Sequence, residues 1–384
     1  MDIARRSVLS AIGLGAGFLI APRMALATVP GERRFVFVIQ RGAADGLNTV
    51  IPYGDPDYAR QRGALAIDPG TAIKLDGMFA LHPSLIETGK MYAAGQALFV
   101  HAVASPYRDR SHFDGQNMLE TGGAAPYAVK DGWLNRLVGL MPRVAEAPIA
   151  IAPTVPLALR GPQPANSYAP SALPQASDDL LARVTQLYAG DAQLHALWAE
   201  AMQTRGMAAD GSGGPRQDPA SLGKLAATFL SKPDGPRIAM IETGGWDTHS
   251  GQNARLAFQL KNLDALLAAL RDGVGAAWAD TTVLVATEFG RTVAANGTGG
   301  TDHGTASAAM LVGGAVAGKR IVADWPGLAA SALYEGRDLK PTQDIDAVIA
   351  AVSAESFALE PARVAQALFS RSLLAGPVKP LLRA

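Results

Sequence analysis

Short runs of apolar, often β-branched residues alternate along the chain with longer segments of helical periodicity. Five nearly uninterrupted apolar runs cover residues 35–39, 97–100, 238–241, 281–286 and 309–312. A strand exposed on one face would carry polar residues at every second position, whereas a strand covered on both faces does not. The pattern therefore predicts an α/β fold with a mainly parallel sheet sandwiched between helices.

Two amphipathic stripes predict helices that cover such a sheet. Leucines recur in alternating steps of four and three at positions 256, 260, 263, 267 and 270. This spacing places them on one face of a helix that packs on the sheet. Asp344 is expected to cap a second helix, whose apolar positions are Ile345, Val348, Ile349 and Val352.

The α/β rhythm is interrupted between residues 153 and 219, where we predict a loop-rich helical insertion. Six prolines within 153–174 indicate an extended surface segment. Residues 178–205 are helical in pattern and suit an insertion or lid. The glycine-rich stretch 206–219 predicts a flexible loop.

The N-terminus has the organisation of a secretory signal. An arginine pair at 5–6 precedes a glycine-dotted apolar stretch at 11–21 and the small-residue site at 25–27. The arginine pair and Arg23 favour the twin-arginine route. The apolar stretch is shorter than the roughly 20 residues that span a bilayer. We expect the chain to be exported as a folded protein by the twin-arginine translocase, with only transient membrane contact, and to be cleaved after residue 27. The mature protein would then be one periplasmic or secreted domain over 28–384. An uncleaved membrane anchor is the alternative.

Composition restricts the partners and the chemistry. Basic and acidic residues number 34 each, and residues 1–27 hold three arginines and one aspartate, so the mature chain carries 31 and 33 and a net charge of −2. This balance predicts no binding to nucleic acid or to an anionic membrane surface. The absence of cysteine excludes disulfides, thiolate catalysis and zinc–cysteine sites.

Polar side chains collect where the predicted strands end, which is where open α/β sheets carry their chemistry. In chain order, these residues are Asp45, His101, Ser111, His112, Asp247, His249, Glu288, Arg291, Asp302 and His303. Without cysteine, histidine and aspartate are the remaining ligands for Zn²⁺ or Mn²⁺. We therefore predict a metal or anion site at this edge with Asp247, His249 and His303 as its core; hydrogen-bonded loop anchors are the alternative.

Six motifs follow one another in a characteristic order. They are RGAADGLN at 41–48, SHF at 111–113, GWLNR at 132–136, GGWDTH at 244–249, TEFGRT at 287–292 and DHG at 302–304. Together they resemble the domain-of-unknown-function 1501 family over almost the whole mature chain. That family is grouped with the alkaline-phosphatase-like superfamily, which includes sulfatases and cofactor-independent phosphoglycerate mutases. The resemblance implies a fold more firmly than a reaction.

The superfamily pattern assigns expected roles to individual residues. Asp45 resembles the metal-binding aspartate after the first strand, and Ser111 is nearest to the Ser or Thr nucleophile. One metal is expected to be bound by Asp247, His249 and His303. Asp302 is expected to orient His303 or a loop amide and not to bind the metal itself.

The second metal of the superfamily takes an adjacent Asp-His pair, which falls here on Glu288-Phe289. Glu288 remains a candidate metal ligand. Phenylalanine cannot ligate, so one ion is expected rather than two.

The remaining polar and aromatic residues have two interpretations each. His112 and Arg291 are further catalytic candidates. Arg41 and Arg291 are expected either to clamp a phosphate or sulfate or to pair with Asp45 and Glu288. Trp133 and Trp246 are expected to pack under the loops, and His82 and His195 to be ordinary surface or helix residues.

The leading hypothesis is an exported metal-dependent hydrolase that acts on an anionic phosphate or sulfate ester, small or polymeric. Ser111, or a water activated by the ion, is the expected nucleophile. The second hypothesis is a catalytically degenerate periplasmic binding or assembly protein of the same fold. A third, a metal-free Ser–His–Asp hydrolase, is weakest because no Gly-x-Ser-x-Gly elbow surrounds Ser111.

Overall fold

The computed structural model describes residues 32–141, 146–169, 178–208, 218–373 and 379–383. The predicted signal segment and most of the predicted 206–219 loop lie outside these ranges. In the described part of the chain the strands are β1 (Arg34–Gln40), β2 (Val50–Ile51), β3 (Ile73–Lys74), β4 (Ala80–Leu81), β5 (Ala97–Ala104), β6 (Ile149–Ile151), β7 (Asn166–Ser167), β8 (Ile238–Thr243), β9 (Thr281–Thr287), β10 (Ser307–Val312), β11 (Arg320–Val322) and β12 (Gln343–Asp344).

Helices separate most of these strands. Over the same ranges they are α1 (Gly46–Thr49), α2 (Tyr58–Arg62), α3 (Ile86–Ala93), α4 (His112–Thr121), α5 (Trp133–Leu140), α6 (Asp178–Tyr188), α7 (Ala192–Ala208), α8 (Pro219–Leu230), α9 (Gln252–Val274), α10 (Ile345–Phe357) and α11 (Pro361–Leu368). Among the described residues, no helix is long and apolar enough to cross a membrane.

One mixed, mostly parallel sheet forms the centre of the fold. Its strand order is β11-β5-β10-β9-β1-β8-β6-β7, with β12 beside the end of β5. All five predicted apolar runs lie in this sheet, as expected. β2, β4 and β3 form a separate small antiparallel sheet.

The strand β10 departs from the parallel prediction, because it runs antiparallel to both β5 and β9. The chain returns from β9 through residues 288–306 without a crossover helix, and a direct return of this kind gives antiparallel neighbours. As a consequence, the residues that precede β10 reach the same sheet edge as the residues that follow β1, β8 and β9.

Helices cover both faces of the sheet. Val36 and Val38 of β1 pack with the leucine stripe of α9, and Phe35 and Phe37 pack on the opposite face with Trp133 of α5. Every residue of β1 is buried, which explains why the run lacks polar alternation. The predicted α9 stripe is confirmed, since all five of its leucines are buried.

Three further local predictions have mixed outcomes. Asp344 caps α10 by accepting a hydrogen bond from the Asp346 amide, as predicted. The 153–174 segment is not wholly a surface segment. Ala158 and Leu159 are buried in a short 3-10 turn, and β7 adds to the large sheet. The helical insertion is present as α6 and α7.

Candidate metal centre

Four loops and the start of α4 meet at one edge of the large sheet. β1, β8 and β9 are parallel and end at this edge, and β10 begins there. The loops are residues 41–48, 244–251, 288–292 and 299–304. An isolated bridge joins Arg291 to His303, which ties the last two loops together.

Three side chains at this edge lie close enough to share one ion. Ligand-type atoms of His112, Asp247 and His303 are all within 4.8 Å of one another. His303 Nε2 is 3.4 Å from Asp247 Oδ1, and His112 Nε2 is 3.5 Å from Asp247 Oδ2. Atoms placed tetrahedrally at about 2.0–2.2 Å from Zn²⁺ would be separated by roughly 3.3–3.6 Å. Each of these two separations lies in that range, one to each oxygen of Asp247.

His249 borders the same group on its solvent side. Its Nε2 lies 3.0 Å from Asp247 Oδ1 and 3.0 Å from His303 Nε2. Its side chain is 46% exposed, against 27% for His303 and 21% for His112. The structure thus brings the predicted Asp247, His249 and His303 together and adds His112, which the sequence suggested only as a catalytic candidate.

Each of the three histidines turns its Nδ1 toward an oxygen that only accepts. His112 Nδ1 is 2.8 Å from Glu288 Oε1, His249 Nδ1 is 3.2 Å from Asp302 Oδ1, and His303 Nδ1 is 2.8 Å from the Arg110 carbonyl oxygen. For His112 and His303 these partners require the hydrogen on Nδ1, so Nε2 of the neutral ring carries a lone pair. His249 has an aspartate oxygen near each ring nitrogen, so its partners do not fix its tautomer. A ring held from behind by an oxygen is the usual arrangement of metal-ligating histidines.

Glu288, a predicted ligand, lies behind His112 instead of facing the group itself. Its buried carboxylate accepts from His112, from the Gly42 amide at 2.8 Å, from Gln116 Nε2 at 3.1 Å and from Thr287 Oγ1 at 2.9 Å. Burial alone would raise the pKa of Glu288, but the hydrogen bonds from His112 and Gln116 lower it below its usual value. The Glu288 hydrogen bond in turn raises the pKa of His112.

Arg291 fixes Asp247 from the protein interior. Arg291 Nη1 donates to Asp247 Oδ1 at 2.6 Å, and its Nε donates to Thr301 Oγ1 at 3.1 Å. Burial would raise the pKa of Asp247, but the hydrogen bond and charge of Arg291 lower it. Arg291 therefore pairs with Asp247 and not with Glu288, so that predicted pairing is wrong.

Asp45, a predicted ligand, does not join the group. Its carboxylate accepts from the amides of Leu47 and Asn48 at 3.0 and 3.2 Å, which caps α1. It also pairs with the buried Arg62 and accepts from Gln252. Because the chain turns into α1 directly after Asp45, the carboxylate is used within the turn.

Asp45 nevertheless connects to the group through a buried chain of hydrogen bonds. Arg291 donates to Thr301, Thr301 Oγ1 donates to Gln252 Oε1 at 2.6 Å, and Gln252 donates to Asp45. Gln252 is the first residue of α9 and is fully buried. The network stabilises the position of Arg291, and so of Asp247.

Ser111 and Arg41 have partners that differ from those expected. Ser111 is at the N-cap of α4 without a capping side-chain bond, and its amide donates to the Tyr107 hydroxyl at 3.1 Å. Among the described residues, no histidine hydrogen-bonds to Ser111, which disfavours the metal-free Ser–His–Asp alternative. Arg41 pairs with Glu120 at 2.8 Å and with Glu242, so its predicted pairing with Asp45 is wrong.

Two histidines outside the group were placed wrongly by the sequence. β5 continues to Ala104, so His101 lies inside the strand instead of in a loop, with Nε2 2.8 Å from the Val50 carbonyl. Burial lowers the pKa of His101 to about 4, and it does the same to His82, which is buried and not on the surface. His195 is exposed on α7, as predicted.

The two tryptophans pack as predicted. Trp133 and Trp246 are both buried, and they donate to the Leu119 carbonyl and to Thr243 Oγ1, each at 3.0 Å. Trp246 also lines a cleft of about 190 Å³ beside the 244–251 loop, with Gln259 on its wall.

The family of the chain follows from its sequence match. The family described as protein of unknown function (DUF1501) matches residues 32–369. The chain belongs to the DUF1501 family. The resemblance carried by the six motifs is thereby confirmed. Among curated proteins, no match to the DUF1501 chain reaches significance.

Among solved structures, the DUF1501 chain is similar to alkaline-phosphatase-like proteins. The zinc complex of the C-terminal periplasmic domain of EcEptC from Escherichia coli is 11% identical, with 74% of each chain covered and a TM-score of 0.38. The phosphonate monoester hydrolase of Agrobacterium radiobacter is 11% identical, covering 85% of this chain and 74% of that one, with a TM-score of 0.34. The alkaline phosphatase of the Antarctic bacterium TAB5 is 12% identical, with 75% and 94% covered and a TM-score of 0.36.

Several residues that hold the DUF1501 site together gave no usable signal in the sequence. Gln252 and Thr301 are common turn and helix-start residues, and only the folded chain shows that they join Arg291 to Asp45. Arg110 contributes a backbone carbonyl to His303, and any residue could supply that group. The SHF, GGWDTH and DHG motifs did mark the segments that carry His112, Asp247, His249 and His303.

Proposed function

We propose that this protein is an exported hydrolase-like protein that binds one divalent metal ion, Zn²⁺ in preference to Mn²⁺. His112, Asp247 and His303 would hold the ion, and His249 would be the fourth ligand. Three imidazoles and one carboxylate form a nitrogen-rich set, which suits zinc better than the harder divalent ions.

The observation that supports this proposal is the direction of the ring nitrogens. The Nε2 atoms of His249 and His303 are 3.0 Å apart, and Nε2 of the neutral His303 ring carries a lone pair because its Nδ1 faces the Arg110 carbonyl oxygen. The Nε2 of His112 is buried and has no hydrogen-bond partner among the described residues. Buried polar atoms are rarely left without a partner. One cation beside Asp247 would satisfy all of these atoms.

Charge favours the same interpretation. Asp247, Glu288 and Asp302 carry three negative charges, Arg291 carries one positive charge, and the three histidines carry none in the neutral form that ligates a metal. The local formal charge is therefore −2, which a divalent cation neutralises. The ligands are preorganised, because Arg291 fixes Asp247 and oxygens fix the three rings.

The proposed substrate class is a phosphate or sulfate ester. A divalent ion that takes an ester oxygen as a fifth ligand, beside the four protein groups, would supply Lewis-acid polarisation of that oxygen. The chain would orient the ester, with the hydroxyl of Ser111, directly before His112, as the candidate nucleophile. Cleavage of the twin-arginine segment and a periplasmic location belong to this proposal.

A catalytically degenerate binding protein is the second candidate, and Phe289 favours it. Its ring stacks on His112 with centroids 5.1 Å apart and lies 5.4 Å from the ring of His303. An aromatic ring thus occupies the sequence position that would carry the histidine of a second metal. We therefore expect at most one-ion chemistry.

An ester screen on matched variants tests the proposed activity. Metal-free and Zn²⁺-loaded wild type would be assayed on aryl phosphates, aryl sulfates and a phosphodiester. His303→Ala removes one ligand, and His195→Ala on the exposed face of α7 is the control. We expect Zn²⁺-dependent turnover in wild type and His195→Ala only. Zn²⁺ binding without turnover on any ester would favour the binding-protein candidate.

A further inference from the structure

Asp338 is a buried carboxylate outside the ligand group. Its side chain is 0% exposed, and its two oxygens bind two different arginines. Asp338 Oδ2 accepts from Arg110 Nε at 3.0 Å and Nη2 at 2.9 Å, and Oδ1 accepts from Arg337 Nε at 2.8 Å. Because each oxygen of Asp338 binds a different arginine, the carboxylate fixes the two guanidinium groups relative to each other.

Both arginines also contact His303. The Arg110 carbonyl oxygen accepts from His303 Nδ1 at 2.8 Å, and the Arg337 guanidinium donates to the His303 carbonyl. The first contact sets the orientation and tautomer of the imidazole. The second contact anchors the backbone that carries it. Asp338 therefore controls the two groups that determine where His303 Nε2 points.

The backbone of Arg110 supports a positioning role. Arg110 has φ of +61°, a left-handed conformation that is disfavoured for residues with a Cβ atom. Its side chain is held in place by Asp338 and by Glu335, whose Oε2 is 2.5 Å from Arg110 Nη2. Held conformations of this type cluster at functional sites. Here the conformation aims a carbonyl at His303.

We infer that Asp338 is a positioning residue for His303 that acts through Arg110 and Arg337. The inference rests on the proposed metal centre, because the arginines would hold His303 so that its Nε2 faces the ion. Partners behind a ligating histidine typically change metal affinity by about 10–100-fold. A residue of merely structural importance would change stability without changing that affinity.

Removing Asp338 would release both arginines at once and leave each without its shared carboxylate, so the test removes one arginine at a time instead. Arg110→Met keeps the backbone carbonyl and the Cβ atom but releases the side chain from Asp338. Arg371→Met is the matched control, since Arg371 is 17% exposed against 21% for Arg110 and likewise pairs with buried carboxylates. Arg337→Met is a second test variant, and its parent side chain is 46% exposed, so folding is expected to be retained.

Two measurements are made on each variant. The first is Zn²⁺ affinity, from competition with a chromophoric chelator. The second is the tautomer of His303 in metal-free protein, from the ¹⁵N chemical shifts of its ring. We expect Arg110→Met to lose Zn²⁺ affinity about tenfold or more and to mix the His303 tautomers. Arg337→Met is expected to lose affinity as well, whereas Arg371→Met should keep both properties within error.

The outcomes separate this inference from the proposed function. If Arg110→Met and Arg337→Met kept the same Zn²⁺ affinity and the same His303 tautomer as the Arg371→Met control, the positioning role of Asp338 would be overturned. If wild type bound no Zn²⁺, the proposed metal function would fail, and the tautomer measurement alone would decide the inference. A His303 ring fixed as the Nδ1–H tautomer in wild type and mixed in Arg110→Met would then support it, and identical rings would refute it.

Discussion

Replacing Glu288 with glutamine removes one charge from behind His112 and leaves its hydrogen-bond geometry almost intact. The Oε1 atom of glutamine can keep the bonds from His112, the Gly42 amide and Gln116. The new Nε2 can donate to Thr287 Oγ1, whose own hydrogen is free to go to the Gln40 carbonyl at 2.7 Å. We therefore expect Glu288→Gln to fold.

The effect on metal binding follows from the loss of the charge alone. Removing a partner behind a histidine ligand costs about 10–100-fold in affinity. Since Glu288→Gln keeps the hydrogen bond, we expect the lower end, about tenfold, which is about 1.4 kcal/mol. The pKa of His112 in metal-free protein should fall, because its upward shift comes from a hydrogen bond to a charged Glu288 and from that charge itself, and a neutral glutamine stabilises the protonated ring less.

Zn²⁺ competition titrations and an NMR titration of the His112 ring provide the measurements. Glu242→Gln is the control, because Glu242 is 30% exposed and pairs with Arg41 instead of a histidine. Wild-type Zn²⁺ affinity in Glu288→Gln, with the pKa of His112 unmoved, would refute the assignment of His112 as a ligand supported by Glu288.

Three further predictions concern other parts of the chain. Asp302→Asn should weaken Zn²⁺ binding by no more than about tenfold, because Asp302 is 58% exposed and contacts His249, the most exposed of the proposed ligands. A larger loss of affinity in competition titrations would contradict this minor role of Asp302. Burial, followed by a neighbouring aspartate, raises the pKa of Asp346 to about 7, so its contribution to stability is full below about pH 4 and is lost as the pH rises to 7. The stability of Asp346→Asn relative to wild type should therefore rise between pH 5 and pH 8, and urea unfolding that shows no such trend would contradict the assignment. Replacing the pair Arg5-Arg6 by two lysines should trap precursor inside the cell; unchanged export in a fractionation experiment would indicate the general secretory route.

The large elements could be predicted because their patterns are local. The uninterrupted apolar runs and the 4-3-4-3 leucines each reflect burial on one strand or helix. Strand direction was harder, since the sequence of β10 resembles that of its parallel neighbours. Only the helix-free connection over 288–306 indicates that β10 runs the other way.

Individual roles at the site depended on atoms that the sequence does not specify. Asp45 stands after β1, as a ligand would, but Arg62 and Gln252 reach it from elements distant in sequence and use its carboxylate. His112 was visible as a site residue, yet its direct contact with Asp247 depends on how α4 meets the sheet edge. His303 is held by a backbone carbonyl, which any residue type could supply, so the sequence could not predict this contact.

The central claim is that one divalent ion binds between these histidines and Asp247. Isothermal titration of metal-free wild type with Zn²⁺, alongside His303→Ala and His195→Ala, tests it most directly. We predict one Zn²⁺ per chain for wild type and for His195→Ala, and no stoichiometric binding for His303→Ala, with little change in its thermal stability because the sheet core does not include His303. Absence of stoichiometric binding in wild type, or equal binding in all three proteins, would contradict the claim.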